Sequence, residues 1–168
     1  PEIGCLRGFF YPCTMNTIAT AAALQLREVY FGGNWTAVHV FGVTEDIQLT
    51  EWHLRYEGNH SLLELIYHQY YFVTSLHMVL NGDPLTTRDK FSFDHPPVNT
   101  EQDWKDFLEL IRSTVTATAA LLEKVSDDEL TLPFVRPEYG TLFRNIQGVI
   151  EHTHYHLGQI PLLKRLIR

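Results

Sequence analysis

The chain has 168 residues, 45% of them hydrophobic and 20% charged, and a formal net charge of -7. That length and balance suit one globular domain with a buried core and exclude a disordered chain. An acidic chain with no basic run argues against nucleic acid as a partner, because phosphate binding needs clustered lysine or arginine.

Residues 1–14 (PEIGCLRGFFYPCT) are rich in Gly, Pro and Cys, lack helical periodicity and precede the first methionine, Met15. An extension, a processing remnant and a misplaced start are all open readings, and no functional residue is assigned among them. The two cysteines, Cys5 and Cys13, cannot staple a domain of this size, so a reducing cytoplasm is the simplest compartment. The apolar stretch over residues 18–26 has no basic segment before it and continues as a helix through Arg27 and Glu28, so it reads as a mature helix and not a signal peptide. No stretch approaches the roughly 20 apolar residues that cross a bilayer, and no membrane partner is expected.

Along the chain, Ile18, Ala22, Leu26, Val29 and Tyr30 recur at helical spacing, with Asn16 or Thr17 as the cap and Gly32-Gly33 as the stop. The mixed connection over residues 34–59 has room for a short helix around residues 44–53. Asn59 or Ser61 opens the second long helix, with Ser61 and Glu64 in capping-box spacing, and Asn81-Gly82-Asp83-Pro84 ends it. Residues 82–98 have no period and read as a loop.

Asn99 or Thr100 opens the third long helix, whose stripe holds Trp104, Phe107, Leu108, Ile111, Val115, Leu122 and Val125. After a loop through Pro133, Pro137 and Gly140, the fourth begins near Thr141, with a kink expected at Pro161. Four long helices, each with one apolar stripe, predict an all-α four-helix bundle spanning residues 15–168. The loop over residues 82–98 could extend roughly 55 Å, enough to permit a crossover between the second and third helices without requiring one.

His152 and His156 stand four apart, so both rings share one face of the fourth helix and can reach one ion. That face also carries Asn145, Gly148, Val149, Gln159 and Leu163 and is expected to look inward, while His154 points away. Gly148 would leave room beside an ion. Gln159 either caps a core carbonyl or contacts the site. The third ligand predicted is His68, on the stripe of Leu65, Phe72, Leu76 and Val79, with Glu64 placed to orient its ring. Each feature has a plainer reading: an i,i+4 histidine pair arises by chance, and a core histidine is often simply hydrogen bonded. Both together, on inward faces of different helices, favour a metal.

A zincin protease is excluded, because it needs Glu after the first histidine and Thr153 stands there. Three neutral imidazoles leave at least one coordination position open, as catalytic sites do. Nitrogen donors suit zinc, nickel, copper or iron, with zinc and nickel the first expectations.

The run His152-x-x-x-His156-x-Gly158-Gln159, with His68 in "SLLELIYHQ" and Asn59-His60-Ser61 opening its helix, resembles the DinB/YfiT-like metalloenzyme superfamily over residues 15–168. The resemblance implies an up-down-down-up bundle, a homodimer, and one divalent ion held by a histidine of the second helix and two of the fourth. Many relatives carry arginine where this chain has Leu157, so any contact made by that arginine is not carried over. Characterised members of the superfamily include transferases and isomerases that use low-molecular-weight thiols such as bacillithiol or mycothiol. The implied function is therefore transfer of such a thiol to an electrophilic small-molecule substrate. Tyr67, Tyr71 and Trp52 would either line its pocket or form plain core and rim. A metal-dependent hydrolase and a non-catalytic, stress-related metal-binding bundle are the alternatives.

Overall fold

The computed structural model describes residues 17–168. Residues 1–14 with both cysteines, and Asn16 as the alternative cap of the first helix, lie outside the described residues. Four long helices and one short one make up the fold, in the order α1 Ile18–Phe31, α2 Val40–Thr44, α3 Leu62–Leu80, α4 Glu101–Leu122 and α5 Leu142–Ile167. No β-strand occurs among the described residues, only an isolated bridge between Pro133 and Thr141. None of these helices is long and apolar enough to cross a membrane.

The helix boundaries follow local chemistry. The Thr17 hydroxyl accepts from the Thr20 amide at 3.1 Å and starts α1, and Gly32, at φ 104°, ends it in a conformation that disfavours side chains. Ser61 with Glu64, and Thr100 with Asp103, form reciprocal capping boxes at α3 and α4. Thr141 caps α5 through the Arg144 amide. Pro161 lies inside α5 without ending it, although its ring removes the N–H that would bond the Leu157 carbonyl.

The short helix differs from the expectation. It spans Val40–Thr44 and not residues 44–53, because the His39 ring caps it by accepting from the Gly42 amide at 3.0 Å. Residues beyond it serve to hold the end of α5. Lys164 bonds the Val43 carbonyl and the Asp46 carboxylate, and Arg168 bonds both Asp46 and Glu51. These two cations hold the Asp46 carboxyl down to about 2.

α1 packs against α4 and α5, and α3 packs against the same two helices. Specific pairs set the register. Ile18 N–H donates to Asp127 just beyond α4 at 3.0 Å, while Arg112 lies over the Phe31 ring at the other end of α1. On α3 and α4, Tyr70 meets Phe107 and His77 meets Thr118. On α3 and α5, Phe72 and His68 both meet His152, and Gln25 of α1 meets Gln147 of α5.

The core stripe of α5 is Ile146, Ile150, Thr153, His156, Leu157, Ile160 and Leu163. His152 precedes a stripe residue by one, about 100° around the helix. Of the face expected to look inward, His156 and Leu163 are buried and Val149 packs against the core, whereas Asn145, Gly148 and His152 are half-buried at its edge. Leu157 is buried in the stripe. The long loop between α3 and α4 is pinned by Tyr71, whose hydroxyl bonds the Arg88 amide and carbonyl at 2.7 and 2.9 Å.

Candidate metal centre

Three imidazoles meet where the middle of α3 faces the middle of α5. His152 Nε2 lies 3.0 Å from His68 Nε2 and 2.9 Å from His156 Nε2. His68 and His156 are buried and His152 is half-buried. The Nδ1–H of His156 donates to Gln159 Oε1 at 2.8 Å, which turns the Nε2 lone pair of His156 toward the shared point. Phe93, delivered by the loop between α3 and α4, stacks on the His68 ring at 4.0 Å, and His60 stacks on the far face of Phe93 at 3.7 Å. Phe72 meets both His68 and His152 edge-on.

Hydrogen bonding alone accounts poorly for this cluster. The two contacts at His152 Nε2 must share one proton, or else set lone pair against lone pair. The Nδ1 atoms of His68 and His152 are buried without a hydrogen-bond partner of normal geometry. A single divalent cation could be held by His68, His152 and His156, each offering one ring nitrogen. Donors at about 2.0–2.1 Å from one ion lie about 2.9–3.4 Å apart; the two spacings at His152 fall in that range, and all three donor atoms lie within 4.8 Å of one another. The donor set fits a divalent metal.

The electrostatics agree. Burial, followed by the neighbouring His152 and His156, holds His68 down to about 4, with the Ser92 backbone pulling weakly the other way. Burial and then His156 hold His152 to about 4, opposed by Asp89. Burial also lowers His156, against the hydrogen bond to Gln159. At neutral pH all three rings are uncharged and available as ligands.

A pH dependence follows. An unfolded histidine titrates near 6.5. Between about pH 6.5 and 4 the unfolded metal-free chain binds more protons than the folded one, so these rings' stabilising contribution is present above 6.5 and lost as pH falls through 4. Thermal unfolding of chelator-treated protein should show a falling Tm across that window. A His68→Phe/His152→Phe variant should show a shallower fall, and equal slopes would count against the depressed values.

Cavities lie on both sides of the cluster. One, of about 330 Å³, is lined by Phe72, Arg144, Asn145, Gly148 and His152 among others. The second, of about 350 Å³, reaches His156 and Gln159 between leucines of α3 and α5. Gly148 thus borders open space, as its missing side chain implied.

The structure brings His68, His152 and His156 together, as the sequence predicted, and gives Gln159 a contact with the site. His154 faces away and bonds the Ile150 carbonyl within its own helix at 3.0 Å. Another expectation is corrected. Glu64 does not orient His68, because its carboxylate is taken by the Ser61 amide at 2.7 Å and by Arg55. For Trp52, Tyr67 and Tyr71 the core-and-rim reading holds: Trp52 is fully buried and stacked on Trp104, Tyr67 and Tyr71 pack against other aromatics and the loop, and none of the three lines either cavity. Phe93 and Arg144 went unnoticed. Nothing in the aperiodic loop marks Phe93, whereas Arg144 could have been found by counting back eight residues from His152.

These features define a helical chain whose long helices frame a three-imidazole cluster with space on both sides. The family model of the DinB superfamily matches residues 18–160, and the chain belongs to that superfamily. Comparison with curated proteins and with solved structures returns no match.

Proposed function

We propose that His68, His152 and His156 hold one divalent cation, zinc or nickel, and that the protein uses it to transfer a low-molecular-weight thiol to an electrophile. The observation that carries this reading is the convergence of three neutral imidazoles from two helices, with His152 Nε2 2.9–3.0 Å from each of the other two and all three donor atoms within 4.8 Å, beside open space. When bound, the cation supplies Lewis acidity that lowers the pKa of a coordinated thiol or water. Gln159 keeps His156 in the ligating tautomer, and Phe72 and Phe93 hold water away from His68. In the transfer, a carbon–sulfur bond forms as the electrophile's bond to its leaving group breaks. The leaving group takes the bonding pair, and the thiol proton passes to solvent.

The leucine-walled cavity beside His156 suits an apolar electrophile.

We propose further that the four long helices form an up-down-down-up bundle with residues 82–98 as the crossover. The pairs Ile18 with Asp127, Phe31 with Arg112, Tyr70 with Phe107 and His77 with Thr118 support this arrangement. Exposed Leu162 and Leu166 on α5 support the expected homodimer, and a monomeric mass by light scattering would remove it.

The test incubates metal-loaded protein with cysteine, bacillithiol or mycothiol and a chromogenic aryl halide. Conjugation should exceed the buffer blank by about tenfold or more with at least one thiol. Rates equal to the blank with every thiol would sink the transferase, and hydrolysis of an activated ester under the same conditions would replace it.

A further inference from the structure

The two cavities flanking the imidazoles differ in chemistry. The one beside His156 is walled by Leu65, Leu162, Leu163 and Leu166 and has no Lys or Arg among its lining residues, whereas the one beside His152 carries Arg144. We propose that the His152-side cavity is a carboxylate subsite, in which the Arg144 guanidinium holds the anionic end of a small ligand whose other end faces the three imidazoles. The proposal deepens the metal-dependent reading and rests on it for what that other end meets.

Arg144, Gly148 and His152 follow at intervals of four along α5 and form one row, each step rising about 6 Å. The Arg144 side chain runs along this row. Its Nη1 reaches Glu151 Oε2 at 3.3 Å, and a Cβ added at Gly148 would come within 3.2 Å of the same nitrogen. The guanidinium therefore lies over Gly148, about one turn from His152. Glycine weakens a helix interior relative to alanine, and at this position it clears the path for the arginine.

Arg144 has capacity to spare. Its pair with Glu151 is exposed on both partners, at 65% and 66%, and Nη1 is the donor it uses. A guanidinium offers further N–H donors in a planar fork that matches a carboxylate, and an exposed ion pair of this kind is easily exchanged. Asn145 does not supply that contact, because its amide N–H groups are bonded to the Tyr139 and Thr141 carbonyls at 2.8 and 2.9 Å. Arg144 is the one cationic side chain that lines this cavity, with the Tyr139 hydroxyl as a neutral donor beside it, so charge recognition of an anion falls to Arg144. A ligand spanning from it to His152 needs about 5–6 Å between carboxylate and donor atom, the reach of a short mercapto acid.

The test is calorimetric titration of the zinc-loaded full chain with mercaptopropionate and with its methyl ester, with metal content measured in parallel. The wild type should bind the acid about tenfold or more tighter than the ester, and Arg144→Gln should bring the two within about twofold while keeping its metal. Gly148→Ala, which favours the helix, should weaken binding of the acid by displacing the guanidinium, with an unchanged or higher Tm. No binding of the acid by the wild type, equal affinity for acid and ester, or a preference that survives in Arg144→Gln would overturn the proposal. A wild type that takes up no zinc would defeat the metal reading instead. The acid-over-ester preference and its dependence on Arg144 would still decide the present inference in that protein.

Discussion

Replacing His152 with alanine is expected to lower affinity for a divalent cation by at least about a hundredfold, since loss even of an outer partner costs about 10–100-fold. His152 is the ring both others approach, at 3.0 Å from His68 and 2.9 Å from His156. Its removal leaves two nitrogens from different helices, with no third donor to complete the set. The fold should survive, because His152 is only half-buried and sits beside the core stripe, not within it. His154→Ala is the matched control. That ring lies two residues away on the same helix but bonds the Ile150 carbonyl, so its loss should leave metal binding unchanged. Equilibrium dialysis followed by elemental analysis reads both variants. Full stoichiometry in His152→Ala would end the assignment of this residue as a ligand.

The parts legible in the sequence are those governed by short-range rules. Ser61 with Glu64, Thr100 and Thr141 marked helix starts because a capping hydroxyl needs only the next three residues. The i,i+4 pair His152 and His156, and a histidine on the stripe of the second long helix, were enough to nominate the three histidines that the structure brings together. What failed depended on distant partners. His39 caps α2 through its ring, a role propensity rules assign to Ser, Thr, Asp or Asn. Glu64 had the right spacing to serve His68, yet a buried carboxylate bonds the nearest strong donors, here its own capping amide and Arg55. The placement of Phe93 against His68 is set by a loop without periodicity, held by Tyr71 and Arg88. Helical counting put the histidine face inward, which holds for the buried His156 and Leu163, while His152 lies half-buried at the edge of the core.

Trp52→Ala is expected to destabilise the protein by about 3–5 kcal/mol, the cost of truncating a large buried aromatic. Trp52 is fully buried, and its indole stacks on Trp104 of α4 with centroids 4.9 Å apart. Its carbonyl also accepts from the Leu63 amide at 3.1 Å, which ties residues 45–61 to the first turn of α3. The indole N–H has no partner. Trp52→Phe should therefore cost much less, because it keeps most of the apolar contact and removes an unsatisfied donor. At about 2–4 °C per kcal/mol for a chain of this size, the alanine variant should melt roughly 10 °C or more below the wild type. Had Trp52 been a wall of the substrate pocket, the same change would alter KM and spare Tm. The structure requires the reverse: a large fall in Tm, with metal stoichiometry retained in protein that is still folded at low temperature. A Tm within about 2 °C of the wild type would place Trp52 outside the core, and would also release the segment that carries Arg55 to Glu64 from its anchor.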